Sequence, residues 1–221
     1  MSIDSVSAEQ ITDFDWMKDK ITFKLINAEN NQEKLMKQPH ILFHDLAIVF
    51  YAVIVEQDGK LLTAAVTNEL MNKWGIDINR LISLAKENTE RIFPARVFNV
   101  GDLLDTFFGD SAPAGNVLED DGTEIQVDSL YACTNDLKMN GAGTILYDGV
   151  LKRFAEKAGC DIYILPSSMH EVLLVPGTMK ISVDDLKEMV KDVNRTVVSA
   201  EDFLSDNIYV YRRLFGLIEA V

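Results

Sequence analysis

Residues 164–176 read ILPSSMHEVLLVP, and between their two apolar runs stand Ser168, His170 and Glu171, the residue types of a hydrolytic triad. In such a triad a histidine takes the serine proton and a carboxylate orients the imidazole. On one strand, however, Ser168 and His170 share a face about 6.5–7 Å apart with side chains roughly parallel, an awkward arrangement for a nucleophile–base hydrogen bond. Triads draw their partners from separate elements, with the nucleophile at a sharp turn such as the GxSxG elbow, and this chain has no GxSxG. Pro166-Ser167-Ser168 reads equally as a polar turn whose hydroxyls satisfy backbone groups. The apolar run Val172–Val175 draws either His170 or Glu171 under cover, where a buried imidazole or carboxylate needs a partner.

Two further constellations bear on chemistry. His40 and His44 stand four apart in PHILFHD. On a helix that spacing puts both imidazoles on one face, as in helical metal sites, although Ile41 occupies the place of a zinc-protease glutamate. In NGAGTILYDG the glycines Gly141, Gly143 and Gly149 precede an apolar run, and no GK[ST] ending follows. A phosphate loop needs a helix directly after it, so the expectation is a tight bend leading into an extended run. Asn140, Gly141, Gly143 and Ser167 are the ligand-binding candidates, with Asn135 and Lys138 near a pocket mouth.

The elements that must position these residues follow from composition and patterning. The chain has 221 residues, 48% hydrophobic and 25% charged, enough for one domain with a sizeable core. A net charge of -14 disfavours direct binding to nucleic acid. It leaves open an acidic nucleic-acid mimic that fills a basic groove on another protein. No apolar run reaches the ~18 residues of a membrane span, and the N-terminus has no basic region followed by an apolar one, which points to the cytoplasm. Cys133 and Cys160 lie in apolar stretches without a CxxC, as buried free thiols do.

Helical spacing of Phe14, Met17, Ile21, Lys24 and Leu25 predicts a helix over about 13–28. A short helix is expected before Pro39, and strands either side of Asp58-Gly59 form a hairpin. Thr67 and Asp77 are N-caps of two helices, the first stopped by Gly75, the second ended by Pro94, with Glu87 and Arg91 spaced as an ion pair. VFNVGDLLDTFFG reads as a short strand then a short helix, and 110–123 as an exposed acidic loop. SLYACTN is a strand, 148–159 a helix, and CDIYILP and HEVLLVP are strands joined by SSM. Ser182 opens a further helix, Ser199 a short one, and NIYVYRRLF is a final strand. Hairpins and helices in blocks define an α+β fold with a mixed, largely antiparallel sheet, as one domain with possible halves 13–109 and 124–221.

The stretches MKQPHILFHDLAIVFYAVI, TNELMNKWGIDINRLISLAKENTERIFP, LKMNGAGTILYDGVLKRFAEKAGCDIYILPSSMHEVLLVP and LKEMVKDVNRTVVSAEDFLSDNIYVYRR carry a resemblance. From about Asp13 onward the chain resembles an uncharacterised family, a domain of unknown function from anaerobic gram-positive bacteria. The resemblance implies an extra N-terminal segment ahead of Phe14 in many members, so that this chain is a short member or a trimmed one. It implies an apolar residue where His44 stands, and it makes Asn140–Gly143 and Ser167–Glu171 part of the family pattern. It transfers no activity. The expectation is a non-enzymatic protein that binds a protein partner or a small ligand, without cofactor, metal, direct nucleic-acid contact or membrane. The alternative is a hydrolase using Ser168, His170 and Glu171.

Overall fold

A computed structural model describes residues 6–57, 60–102, 115–119 and 124–221. The fold is α+β, and its strands form two sheets of four and six strands in which every pairing among the described residues is antiparallel. Two compact units divide the chain, Met1–Pro94 and Ala95–Val221, each with one sheet.

The first unit holds α1 (Ala8–Thr12), α2 (Phe14–Met17), β1 (Ile21–Asn27), α3 (Gln32–Leu35), β2 (His40–Phe43), β3 (Leu46–Gln57), β4 (Lys60–Ala65), α4 (Asn68–Trp74) and α5 (Ile78–Ile92). Its spine is β3, whose residues Tyr51 and Ala52 pair with β1 on one side and with β4 on the other. The pairing of β3 with β4 agrees with the expected hairpin, while its turn pair Asp58-Gly59 lies outside the described residues. Thr67 and Asp77 cap α4 and α5 as their spacing predicts, and Gly75 ends α4 at a left-handed φ of 67°.

The helix expected over 13–28 is a correction. The chain turns through α2 and a 3-10 turn, Lys18–Lys20, and then runs extended as β1. Ile21, Phe23 and Leu25 are buried, and so are Thr22 and Ile26. A strand covered on both faces reads as a continuous apolar run, which matches helical spacing as easily as a helix does.

β1 is an edge strand, and α5 closes that edge. Asn88 Nδ2 donates to the carbonyls of Ile21 at 3.0 Å and Lys18 at 2.7 Å, while the Phe23 amide donates to Thr89 Oγ1 at 3.0 Å. Arg91 donates to the Asp19 carbonyl and to Asn88 Oδ1. The buried stripe of α5 is thus Leu81, Leu84, Ala85, Asn88 and Thr89, two of its members polar because they face backbone. Replacing Asn88 with Ala strands two partly or fully buried carbonyls, so a loss of about 2–3 kcal/mol in urea denaturation is expected. A variant as stable as the parent would refute this account of the edge.

The second unit holds β5 (Ala95–Asn99), β6 (Tyr131–Asn135), α6 (Val150–Ala158), β7 (Ile162–Ser168), β8 (Glu171–Pro176), α7 (Val183–Thr196), β9 (Tyr209–Arg212) and β10 (Leu217–Ala220), in sheet order β10-β9-β7-β8-β6-β5. One face buries Leu165 and Val175 beneath Leu186 and Val190 of α7, with Ile208. On the other face lies Tyr131, paired in register with Leu174, and its ring meets Phe154 of α6 edge-on at 5.1 Å. Both ends of α6 are glycines at left-handed φ, Gly149 and Gly159.

Three local expectations change. Gly141–Leu146 is a 3-10 helix and not an extended run, because Thr144 turns back to donate to the Gly141 carbonyl. Within the acidic stretch, Val117 and Leu118 are buried, the Val117 amide donates to Val97, and Asn116 bonds both Val97 and Ala95, so this segment covers the edge of β5. The rest of that loop (110–114 and 120–123) lies outside the described residues, and of the stretch read as a short strand then a short helix, β5 and the helical residues 100–102 are described while 103–109 are not. After β9 the chain turns at Gly216 and returns as β10, a strand that the sequence reading did not include. Among the described residues no helix is long and apolar enough to cross a membrane.

Candidate functional site

The β7–β8 hairpin brings Ser167, Ser168, His170 and Glu171 together, but not as a triad. Ser168 pairs with Glu171 across the turn, so the connection is Met169-His170 and both serines belong to β7. Ser168 Oγ accepts the backbone amide of His170 at 3.1 Å. Ser167 Oγ donates to Glu171 Oε1 at 3.5 Å. Each expected partner therefore has another occupation.

The His170 ring is held from two directions. Nδ1 accepts the Asn140 backbone amide at 3.2 Å, which puts the proton of the neutral ring on Nε2. Nε2 then donates to Asp202 Oδ1 at 3.1 Å. Asp202 is itself fixed: Oδ2 accepts from Ser199 Oγ at 2.8 Å, its amide donates to that hydroxyl at 3.2 Å, and its carbonyl accepts the Met169 amide at 2.8 Å. The His170 carbonyl accepts from Thr134 Oγ1 at 2.8 Å. Through its ring and its carbonyl, His170 so ties together β6, the loop before the 3-10 helix, the β7–β8 turn and the 199–202 turn.

Asn140 reaches this position because Asn135 shapes the loop. Its Oδ1 accepts from the Leu137 and Met139 amides, and its Nδ2 donates to the Met139 carbonyl at 2.8 Å. Lys138 and Asn140 both take a φ of 53°. Gly141 follows where nothing larger fits, since a Cβ there would stand 2.2 Å from Thr134 Oγ1 and 2.5 Å from the His170 carbonyl oxygen. Gly143 is buried in the 3-10 helix. Beneath it Cys133 Sγ lies 3.1 Å from Thr144 Oγ1, and burial pushes its thiol up to about 12, which keeps it a neutral thiol. Cys133 and Cys160 are free.

Asp202 and Thr134 are the members of this cluster that sequence reasoning missed. The one local signal was Ser199 three residues before Asp202, the spacing of a capped turn, read there as a helix start. The Ser199 hydrogen bond is the main cause that holds the Asp202 carboxyl below the usual carboxylate value of 3.8; desolvation opposes it, and the His170 interaction adds a smaller lowering. With its folded pKa lowered, the unfolded chain binds more protons in this window. The stabilisation is present above the unfolded value and is lost as pH falls through the folded one. Asp202 is partly exposed, so the contribution is about 1 kcal/mol or less. Asp202→Asn should flatten the acid limb of stability against pH, and a limb unchanged by that substitution would show that the Asp202 hydrogen bonds add nothing.

His40 and His44 do not share a helix face. His40 lies on β2 with Nδ1 3.0 Å from the Gln38 carbonyl, and His44 occupies the β2–β3 turn at a φ of 55°, its ring 4.7 Å from that of Phe43. Among the described residues no three His, Cys, Asp or Glu side chains are placed to hold a metal ion.

Fold and cluster together define an α+β protein of antiparallel sheets with a histidine-centred hydrogen-bond network at a hairpin turn. The chain belongs to DUF5688, a family of unknown function whose model matches residues 2–213. No curated protein and no solved structure matches it.

Proposed function

We propose that this protein is a cytoplasmic, non-enzymatic binding protein. One observation carries the reading: both nitrogens of His170 are committed, Nδ1 to a backbone amide and Nε2 to Asp202, while Ser168 Oγ faces backbone. A general base needs a free lone pair within hydrogen-bond reach of the proton that it removes. Here the lone pair is spent on Asn140, and the cluster cross-links loops that are far apart in sequence.

Exposed apolar groups favour binding as the alternative. The turn after β9 leaves Leu214 and Phe215 79% and 75% exposed, beside Arg213. Adjacent large apolar side chains in water are a common mark of an interaction surface.

A serine-directed fluorophosphonate probe tests the non-enzymatic reading. No labelling of Ser167 or Ser168 is expected. Labelling that disappears in Ser168→Ala would overturn the proposal and establish the hydrolase.

A further inference from the structure

A cleft of about 430 Å³ in the first unit is lined by Met36, His40 and Met71, together with Gln38 and Asn68. Chain closure brings them there. Met36 caps the C-terminus of α3, His40 opens β2, and Met71 stands in α4. Asn68 ties α4 to the chain after α3: its amide donates to the Lys37 carbonyl at 3.0 Å and its Nδ2 to the Met36 carbonyl at 3.1 Å. Met71 follows Asn68 by three residues and so shares its face of α4, the face that meets the Met36 backbone.

The His40 ring is set as a ligand's would be. Its Nδ1 lies 3.0 Å from the Gln38 carbonyl oxygen, which can only accept, so Nδ1 carries the proton of the neutral ring. Nε2 keeps its lone pair, and no hydrogen bond to the described residues occupies it. His170, in contrast, has both nitrogens engaged. A metal-bound histidine characteristically donates its other ring N–H to a backbone carbonyl or a carboxylate, which fixes the tautomer and aims the free nitrogen.

The donors select the metal. None of the eight residues that line the cleft carries a carboxylate, so it offers no anionic oxygen to a hard dication such as Ca²⁺ or Mg²⁺. Zinc takes cysteine, histidine and carboxylate ligands, and of these the cleft has one histidine. Two thioethers and an imidazole are soft, neutral donors, the kind that select Cu(I). The net charge of -14 favours the approach of a cation, and Met36, 72% exposed, leaves it a way in. We infer that this cleft is a site for a soft monovalent cation, Cu(I), held by Met36 Sδ, Met71 Sδ and His40 Nε2.

This assignment rests on the reading of the chain as a binding protein and names its ligand. The test adds Cu(I), delivered anaerobically from its bicinchoninate complex, to the full chain carrying 13C-methyl methionine. An equimolar amount should shift the Met36 and Met71 methyl signals and the His40 ring signals together, and Zn²⁺ should shift neither methyl. Met36→Leu changes an exposed side chain and Met71→Leu conserves volume, so both variants keep the fold. Outer-shell changes alone cost ~10–100-fold in metal affinity, so loss of either thioether should cost at least about tenfold and His40→Ala about a hundredfold. Copper uptake that moves neither methyl, as on the thiols of Cys133 and Cys160, would overturn the assignment. So would parental affinity in both leucine variants, or an equal response to Zn²⁺. Any of these leaves the serine-probe result standing, so failure of this site is separable from failure of the non-enzymatic reading.

Discussion

Gly141→Ala is expected to lose about 3 kcal/mol of folding stability, at the upper end of typical overpacking costs. A methyl at this position meets Thr134 Oγ1 at 2.2 Å, the His170 carbonyl oxygen at 2.5 Å and Thr134 Cα at 2.9 Å. Two of those three atoms are backbone, and β6 is paired on both sides, with β5 and β8. The strand therefore has no free direction in which to retreat. The chain must instead move Asn140 away, which breaks its bond to His170 Nδ1 and releases the imidazole. Chemical denaturation measures the cost, and the His170 ring resonances report the release. Thr134→Ala in the same chain should restore only part of the stability, because the carbonyl contact persists. Gly115→Ala, where nothing lies within 4 Å, serves as control and should match the parent. Full stability of Gly141→Ala would mean that the loop has another path past β6.

Phe154→Ala is expected to cost about 3–5 kcal/mol, the range for emptying a buried aromatic site. Phe154 is fully buried, and its ring stacks edge-on against that of Tyr131, itself 1% exposed. The lost contact removes both apolar burial and an aromatic pair worth ~0.5–1.5 kcal/mol beyond its area. Phe154→Leu keeps most of the volume and should lose much less. Because Phe154 seats α6 on the sheet, the alanine variant should also broaden the amide signals of the Gly149–Lys152 turn at the start of that helix. Denaturation midpoints of the three proteins decide the first point, and amide linewidths the second. Equal stability of the alanine and leucine variants would show that the site collapses around the missing ring.

Much of this architecture was legible in the sequence wherever the determinant is local. Caps at Thr67, Asp77 and Ser182 act within three residues of themselves, and each caps the helix it was expected to cap. The strands on either side of Asp58-Gly59 and those on either side of Met169-His170 pair as consecutive strands do when the joining turn is short. The helix over 150–158 followed from its apolar spacing and from Gly159. β1 failed this kind of reading because its burial comes from β3 and α5 and not from its own neighbours. Likewise the 3-10 helix after Asn140 depends on Thr144 closing onto Gly141 inside a buried corner.

The candidate site shows the same division more sharply. Residue types and the apolar flanks of ILPSSMHEVLLVP established a polar hairpin turn whose histidine needs a partner near cover. The sequence also established the α+β class, the strong negative charge and the family resemblance. It did not name the partners, because Asn140 lies 30 residues before His170 and Asp202 lies 32 after it. A histidine becomes a base, a ligand or a cross-link according to what meets each ring nitrogen, and those meetings are made by chain closure over tens of residues. Local spacing sets which face a side chain occupies; the packing of β6, the 135–140 loop and the 199–202 turn decided that both nitrogens of His170 are bonded within the fold.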